Sequence, residues 1–479
     1  MHGGPTVMVK LRKAFHEIEK VLNENNYSII ILTGLRKTGK TTILKQLSAK
    51  YNGYFLDIRA SKDPLQDYYD IFSKQEEIIF LDEVGYLPEF DSLFNTLEVN
   101  IKRANKKVVL TSSAYGVLRQ ISHEVLGGGR SFRVELFPLS FEEYLYFSGK
   151  IENYGDDCEL LDRDLQNFYR MRDLPEGMGF FIDRQYMLDN FNDTKIAHAN
   201  QGYAVRSIGL TQSQYIGILD VIAYTLNYHL NSRRFGSTHI GEQEFEKEIK
   251  GIDLSNSLIG MSNKVSESLD FSDITYILVY LLTNGFLFVD LIATRRGLQD
   301  IDYVLSDLRA VRSESDLDNI LRRYSFSVVS PLVYTRLLCD LEDVVGRLCS
   351  NRHLYGELYE LSIKSESIYA RYQEFGYKSY KYNELELEKT FSVDLYVPGK
   401  WDKVSLLLEA TLGTKRGREH SVNKVFIDKN LVRILTDICG KWEFNGEYYR
   451  IGYPQALLLV SNSKIYNLNT TKIGEPEIV

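Results

Sequence analysis

The fold is decided by the stretch from Ile29 to Leu44, which reads IIILTGLRKTGKTTIL. Its apolar beginning predicts a buried strand, the residues from Gly34 to Thr41 have the spacing of a phosphate-binding loop, and the residues that follow predict a helix. Such a loop turns its backbone N–H groups toward phosphate oxygens at the start of a helix, whose dipole favours negative charge. The stretch therefore predicts a nucleotide-binding α/β domain.

The residues of this loop have different expected roles. Gly34 and Gly39 permit the turn, Lys40 reaches the β- and γ-phosphates of ATP, and the Thr41 hydroxyl binds Mg²⁺. The other residues expected to contact the nucleotide are Leu35, Arg36, Lys37, Thr38 and Thr42. A glycine-rich turn that binds nothing is the alternative, but strand, loop, Lys-Thr pair and helix all agree with phosphate binding.

Composition limits the class of protein. A chain of 479 residues is too long for one ordinary hydrophobic core. Its net charge of -8 gives no overall electrostatic attraction to nucleic acid. The four cysteines are scattered without metal-type spacing, no apolar run has the length of a membrane span, and the N-terminus lacks the apolar core of a signal peptide. We therefore expect a reduced, cytoplasmic protein without a membrane partner.

Two carboxylates follow the next apolar strand, Ile78-Ile79-Phe80-Leu81-Asp82-Glu83. At the carboxyl end of a buried parallel strand, Asp82 would support the Mg²⁺ and Glu83 would orient or deprotonate the water that attacks the γ-phosphate. Alone this pattern is as often a mere strand end, but its position after a phosphate-binding loop favours hydrolysis.

Hydroxyl residues end the following strand, Val108 to Ser113. Thr111 and Ser112 are candidates for sensing the γ-phosphate. Capping of the next helix is an equally good explanation for each of them.

Four stretches, LTGLRKTGKTTIL, IIFLDEV, VLTSS and GGGRSFRVELFPLSFEEYL, together resemble the prokaryotic family of AAA-type ATPases usually called "ATP-binding protein". The resemblance implies an AAA-type P-loop ATPase core in residues 1–150, a helical and winged-helix region in 151–325, and a restriction-endonuclease-like α/β domain in 326–479. Arg36 matches the loop of that family.

Arg130 matches the Gly-Arg step of the family. It would act as an arginine finger in a neighbouring subunit, which implies a homo-oligomer. A solvated arginine that pairs with a local acid is the alternative, and Arg133 is a second candidate for the finger.

Acidic residues of the last domain match a nuclease signature in part. The family resemblance places Gly356 and Glu360 on a helix, and Asp394 and Glu409 fall on the predicted strands that follow, which is how restriction-type nucleases build a Mg²⁺ site. Thr411 stands where that signature requires Lys, and a hydroxyl supplies no positive charge. Either Lys415 or Arg416 replaces it, or the fold is kept without nuclease activity.

A local basic excess is the best candidate surface for DNA. Residues 400–433 hold eight Lys or Arg against four acids. In the predicted winged-helix region, the helix from Asp273 to Leu282 carries no Arg, Lys, Asn or Gln. This composition favours a role in packing over the recognition of DNA bases.

Two functional hypotheses follow from the sequence. In the first, Mg²⁺-dependent ATP hydrolysis switches the appended domains, with an action on DNA. In the second, the protein is a nucleotide-regulated, non-catalytic adaptor that binds DNA or protein through its last domain.

Overall fold

The computed structural model describes most of the first 175 residues and separate segments after residue 274. The described residues are 10–24, 26–88, 90–112, 131–175, 287–294, 297–298, 307–323, 325–328, 352–372, 380–386, 389–397, 405–411, 431–437, 443–444 and 448–462, with single positions 275, 278, 279, 282, 330 and 332. They fall into two compact units, one up to Pro138 and the other from Leu139 onward.

The first unit alternates helices and strands, as the sequence predicted. Its elements are α1 (Lys13–Glu24), β1 (Ile29–Gly34), α2 (Lys40–Tyr51), β2 (Tyr54–Asp57), α3 (Pro64–Asp70), β3 (Ile78–Asp82), α4 (Phe90–Ala104), β4 (Lys107–Thr111) and β5 (Ser131–Leu136). Short 3₁₀ turns occupy Ile58–Ala60, Ile71–Ser73 and Val84–Tyr86.

The five strands form one parallel sheet in the order β2-β3-β4-β1-β5. Strand β4 therefore lies between the strand before the loop and the strand that ends in Asp82. Because all five strands are parallel, their carboxyl ends meet at one edge, where open α/β sheets bind ligands.

Apolar layers cover both faces of this sheet. Alternate residues of β1 point to opposite faces, so Ile30 and Leu32 pack with α1 and α2, while Ile29 and Ile31 pack with α3 and α4. The helical spacing of Leu11, Phe15, Ile18 and Leu22 predicts an amphipathic helix before β1. The structure confirms it as α1, which buries Phe15 in the first of these layers.

The second unit is a mixed α/β structure. Its described elements are α5 (Phe141–Ser148), α6 (Asp162–Arg170), β6 (Leu287–Thr294), β7 (Gly297–Leu298), α7 (Glu314–Arg323), β8 (Ser325–Val328), α8 (Arg352–Tyr372), β9 (Tyr380–Glu386), β10 (Lys389–Val397), β11 (Ser405–Thr411), β12 (Leu431–Asp437), β13 (Glu443–Phe444), β14 (Tyr449–Gly452) and α9 (Tyr453–Ser461).

Most strands of this unit join one sheet in the order β13-β14-β12-β11-β10-β9-β6-β7, and β8 pairs with β6. Strands β9, β10 and β11 form an antiparallel meander, whereas β11, β12 and β14 are parallel to one another. In the stretch from Trp442 to Tyr453 the Asn445-Gly446 dipeptide predicts a hairpin. The antiparallel pair β13–β14 confirms it.

The run from Ala456 to Ser461, which reads as a buried strand in the sequence, is the helix α9. The apolar run is buried all round, so it has neither a helical nor a strand period. Pro454 in the first turn and Gly452 at the N-cap start the helix. In the structure the ring of Tyr453 stacks on that of Tyr359 in α8, with centroids 3.7 Å apart.

The Pro-Leu-Ser-Phe-Glu-Glu stretch begins the second unit. Ser140 and Glu143 form a reciprocal capping box at the start of α5. The Phe141 N–H donates to Glu366 of α8 (2.8 Å) and the Glu142 N–H donates to Ser461 of α9 (3.1 Å). These bonds tie α5 to the C-terminal helices, and the chain leaves the first unit at Pro138, before the predicted boundary at residue 150.

Candidate functional site

The loop between β1 and α2 has the left-handed backbone that its glycines allow. Gly34 has φ +149° and Gly39 has φ +102°. A Cβ at Gly34 would lie 2.0 Å from the backbone oxygen of Leu136, because β5 passes directly beside the start of the loop. Gly34 is therefore required by both conformation and space, and Gly39 by conformation alone.

Lys40 lies across the loop that precedes it. Its Nζ donates to the backbone oxygens of Gly34 (2.9 Å) and Leu35 (2.8 Å), and the Thr38 hydroxyl also donates to Leu35 O (2.6 Å). Burial lowers the pKa of Lys40, while the carboxylates of Glu83 and Asp82 act in the opposite direction. The ammonium group thus lies against the backbone of the loop. Phosphate oxygens of a bound nucleotide would replace the two carbonyl oxygens as its hydrogen-bond acceptors.

The start of α2 suits an anion. Its N-cap residue, Gly39, has no side chain that could accept from the first-turn N–H groups, and the first turn carries no acid. These N–H groups and the helix dipole favour a phosphate at this position. Thr41 lies partly buried in the first turn, whereas Lys37 and Thr42 are exposed.

Three strand ends contribute polar residues on the side of α2. Asp57 of β2 pairs with Asp82 of β3, and Leu81 pairs with Leu110 of β4, so Asp82 stands beside Thr111. Phe80 and Val109 belong to the core layer of α1 and α2, and the alternation of strand residues puts Asp82 and Thr111 on that same face.

Asp82 is almost wholly buried, and burial raises its pKa to about 6. The nearby Thr41 side chain opposes this effect, the negative charges of Glu83 and Asp57 add to it, and Lys40 lowers the pKa. One oxygen of Asp82, Oδ1, has no hydrogen-bond partner among the described residues. The neighbouring hydroxyl and carboxylate are hard oxygen donors of the kind that suits Mg²⁺.

Thr111 shares this property of a buried, unpartnered oxygen. Its Oγ1 lacks a hydrogen-bond partner within the described part of the chain, although the residue is fully buried. Ser112 is also buried, but it lies beyond the end of β4. A buried hydroxyl without a hydrogen-bond partner lowers the stability of the folded protein. Such a cost is expected of a group that hydrogen-bonds to a ligand.

Glu83 follows β3 in a left-handed conformation, with φ 55°. This conformation is strained for a residue with a Cβ, and such strain often marks functional sites. Its charge acts on both Lys40 and Asp82, as their pKa values show. The structure therefore brings Glu83 together with the loop lysine and the strand-end aspartate.

Three arginines of the first unit are also candidates for the site, and the structure describes two of them. Arg36 is partly buried in the loop, and its charge lowers the pKa of Lys40. Arg133 lies in β5. Arg130 lies outside the described residues.

The predicted nuclease-like acids lie on neighbouring elements of the second unit. Glu360 is in α8, which packs against β10 and β11. Asp394 is in β10 and Glu409 in β11, each one residue from the antiparallel pair Leu395–Leu408. The backbone positions of Asp394 and Glu409 are therefore adjacent, while Lys415 lies outside the described residues.

Sequence reasoning missed Arg12, because the apolar residues from 7 to 24 have helical spacing and indicate only a packing role for this stretch. The Arg12 guanidinium donates to Thr38 O in the loop (2.8 Å) and to Phe137 O beyond β5 (3.0 Å). No pattern in the sequence points to this contact, because its partners are backbone atoms 26 and 125 residues away.

Comparison with known proteins supports an AAA-type domain in the first unit. Residues 26–145 match the AAA_14 family, described as an AAA domain. The matched range contains the loop, Asp82, Glu83 and Thr111. The match supports the predicted AAA-type P-loop ATPase, with nucleotide binding and hydrolysis, and it does not extend to the predicted winged-helix and nuclease-like regions.

One curated relative is the uncharacterized protein MJ1637 of Methanocaldococcus jannaschii, which is 26% identical over 178 residues, with 32% of this chain covered. The alignment spans 36% of that protein, about a third of its length.

Solved structures with partial similarity include the Walker-type ATPase PABY2304 of Pyrococcus abyssi and the AMPPCP-bound DnaA of Aquifex aeolicus. The first is 14% identical, with 65% of this chain and 95% of that chain covered and a TM-score of 0.31. The second is 16% identical, with 45% and 70% covered and a TM-score of 0.25. At these TM-scores we base the assignment on the family match and the site geometry.

Across the described residues, none of the helices combines the length and the apolar character that crossing a bilayer requires.

Proposed function

We propose that the first unit binds ATP with Mg²⁺ and hydrolyses it, and that the reaction switches the second unit. The observation that supports it most is the proximity of the Thr41 side chain, at the start of α2, to the buried carboxylate of Asp82, at the end of β3. A generic glycine-rich turn needs no buried carboxylate at this place, and burial of such a group is costly without a partner.

Each residue of the site has a proposed role. Lys40 and the loop N–H groups bind the phosphates, and Thr41 and Asp82 hold the metal. Bound Mg²⁺ would neutralise charge that develops on the phosphate oxygens. Glu83 orients the attacking water and accepts its proton. The Thr111 hydroxyl donates a hydrogen bond to the γ-phosphate.

An arginine from a neighbouring subunit completes this proposal. Arg130, which precedes β5 in the sequence, would contact the γ-phosphate bound by the adjacent copy in a homo-oligomer. This role is supported by the Gly-Arg step, which the chain shares with the prokaryotic AAA-type ATPases that it resembles.

Nucleotide binding is tested with Lys40→Ala and a matched control, Lys20→Ala, which changes an exposed lysine of α1. We expect Lys40→Ala to lose measurable binding of a fluorescent ATP analogue in the presence of Mg²⁺, and Lys20→Ala to keep it. Equal affinities of the two variants would contradict the proposed function.

A nuclease is the second candidate, favoured by the topology of the second unit. Helix α8 packs on a meander of β9, β10 and β11, and β12 runs parallel to β11. This order places the backbones of Asp394 and Glu409 side by side, as a two-carboxylate Mg²⁺ site requires. The basic stretch 400–433 would bind the phosphates of DNA.

Thr411 allows a sharp test of this candidate. It is two residues after Glu409 in β11, so both fall on the same face of the strand. An active nuclease loses Mg²⁺-dependent DNA cleavage in Asp394→Asn and Glu409→Gln. If Lys415 does not replace the missing lysine, Thr411→Lys would raise cleavage above that of the parent.

A non-catalytic adaptor gives a different result in the same experiments. It retains duplex DNA in a gel-shift assay, the retention survives Glu409→Gln, and it weakens as salt concentration rises. No cleavage by the parent or by Thr411→Lys, on either DNA or RNA, would exclude the nuclease.

A further inference from the structure

We propose that Arg12 is a positioning residue of the phosphate-binding loop. Its guanidinium holds the Thr38–Gly39 peptide so that the Gly39 N–H points into the loop, toward the bound β-phosphate. The inference rests on the proposed nucleotide binding and extends it to a residue outside the loop motif.

The position of Arg12 is fixed by the hydrophobic core. It directly precedes α1, and the Phe15 N–H donates to the backbone oxygen of Arg12 (3.0 Å). Phe15 and Ile18 are buried between α1 and the sheet. The backbone from which the Arg12 side chain extends is therefore anchored to the same sheet that carries the loop.

The guanidinium bridges two backbone oxygens. One is Thr38 O at 2.8 Å and the other is Phe137 O at 3.0 Å, immediately after β5. Because the guanidinium is planar and carries several donors in a fixed fork, two acceptors at once restrict its orientation. The loop is thereby tied to β5, the strand that already lies against Gly34.

The geometry of the peptide bond carries this restraint into the loop. The C=O of Thr38 and the N–H of Gly39 belong to one planar peptide, and the described chain contains no cis peptide bond. In a trans peptide these two groups point in opposite directions. With Thr38 O held on the side of Arg12, the Gly39 N–H is turned to the opposite side, where the loop encloses the phosphate.

Gly39 needs such a restraint more than most residues. Its φ of +102° belongs to a region that glycine enters freely, and nothing lies within 4 Å of where its Cβ would be. The conformation of Gly39 is therefore not fixed by steric contact of a side chain of its own. A charged hydrogen bond to Thr38 O fixes the orientation of the Thr38–Gly39 peptide before the nucleotide binds, which reduces the entropy lost on binding.

Two substitutions and a matched control test this role in the full-length protein. Arg12→Met removes every donor while keeping an apolar stem, and Arg12→Lys keeps the charge but can no longer bridge both oxygens with a planar fork. Arg103→Met changes an exposed arginine at the end of α4 and serves as the control. The measured quantities are the affinities for ADP and AMP and the thermal unfolding midpoint.

We expect Arg12→Met to weaken ADP binding by about tenfold, since a hydrogen bond of a charged group is lost. AMP lacks the β-phosphate that the loop encloses, so its affinity should change by less than about twofold. Arg12→Lys should show an intermediate loss for ADP, and Arg103→Met should match the parent in both.

The outcomes separate this proposal from the proposed function. If Arg12→Met binds ADP as tightly as Arg103→Met, or loses ADP and AMP affinity equally, Arg12 does not position the loop. If Arg12→Met does not fold, Arg12→Lys decides by the same ADP-to-AMP comparison. If Lys40→Ala also binds ADP like the parent, nucleotide binding at this loop is itself wrong.

Discussion

The side chain of Thr41, in the first turn of α2, lies near enough to the carboxylate of Asp82, at the end of β3, to lower the pKa of that carboxyl group. These residues are far apart in the sequence, and β4 lies in the sheet between β3 and β1, the strand that leads into the loop before α2. The fold thereby brings an acidic strand end and a helix-start hydroxyl into one site.

Replacing Glu83 by Gln should slow ATP hydrolysis by about a hundredfold or more, because the amide cannot accept the proton of the attacking water. ADP affinity should remain that of the parent. Steady-state phosphate release and equilibrium binding measure the two effects. Glu77→Gln, at the exposed amino end of β3, is the control, and a Glu83→Gln protein that hydrolyses ATP as fast as this control would show that Glu83 does not position the water.

Thr111→Val should stabilise the nucleotide-free protein while reducing hydrolysis. The substitution removes a buried hydroxyl that has no hydrogen-bond partner within the described residues, so we expect a gain of roughly 1 kcal/mol in the free energy of unfolding. Urea titration and phosphate release measure both quantities. Thr111→Ser keeps the hydroxyl and should retain hydrolysis, and a Thr111→Val protein with full activity would rule out contact of this hydroxyl with the γ-phosphate.

Alanine at the two loop glycines should have unequal effects on stability. At Gly34 a Cβ would lie 2.0 Å from Leu136 O, so we expect a loss of about 3 kcal/mol or more, or failure to fold. At Gly39 the space is open and only the backbone conformation is unfavourable, which costs roughly 1–2 kcal/mol. Urea unfolding compares the pair, and equal losses would contradict the close approach of β5 to Gly34.

Glu135 should give the stability of the first unit a pH dependence. This residue of β5 is buried, and burial raises its pKa from 4.5 to about 8. Between these values the folded protein binds a proton that the unfolded chain releases, so stability falls as pH rises from 4.5 to 8 and this effect levels off above pH 8.

Glu135→Gln removes this titration. The slope of the unfolding free energy should become shallower by up to about 1.4 kcal/mol per pH unit in that window. Glu24→Gln, at the exposed end of α1, should leave the slope unchanged. Urea unfolding between pH 5 and 8 measures the slopes, and identical slopes for Glu135→Gln and the parent would show that Glu135 is charged in the folded protein.

In the second unit, local patterns indicated strands near β10 and β11, which carry Asp394 and Glu409, and the hairpin β13–β14, since strand-like runs and an Asn-Gly turn are short-range signals. They failed at α9. Burial on all sides removes the period on which the distinction between helix and strand depends, and contacts with α5, α6 and α8 decided the outcome.

The sequence by itself determined the phosphate-binding loop, the strand that ends in Asp82 and Glu83, and the parallel α/β class of the first unit. These features depend on the order of neighbouring residues and on apolar runs, which are local properties of the chain. The same patterns left Thr111 and Ser112 as equal candidates for sensing the γ-phosphate.

Only the tertiary structure decided how these parts meet. The strand order places β4 between β1 and β3, and the pairing register puts Thr111 rather than Ser112 beside Asp82. The bonds from Arg12 to Thr38 and Phe137 could not be predicted, because backbone oxygens are the same at every position and a sequence does not show which of them an arginine will reach.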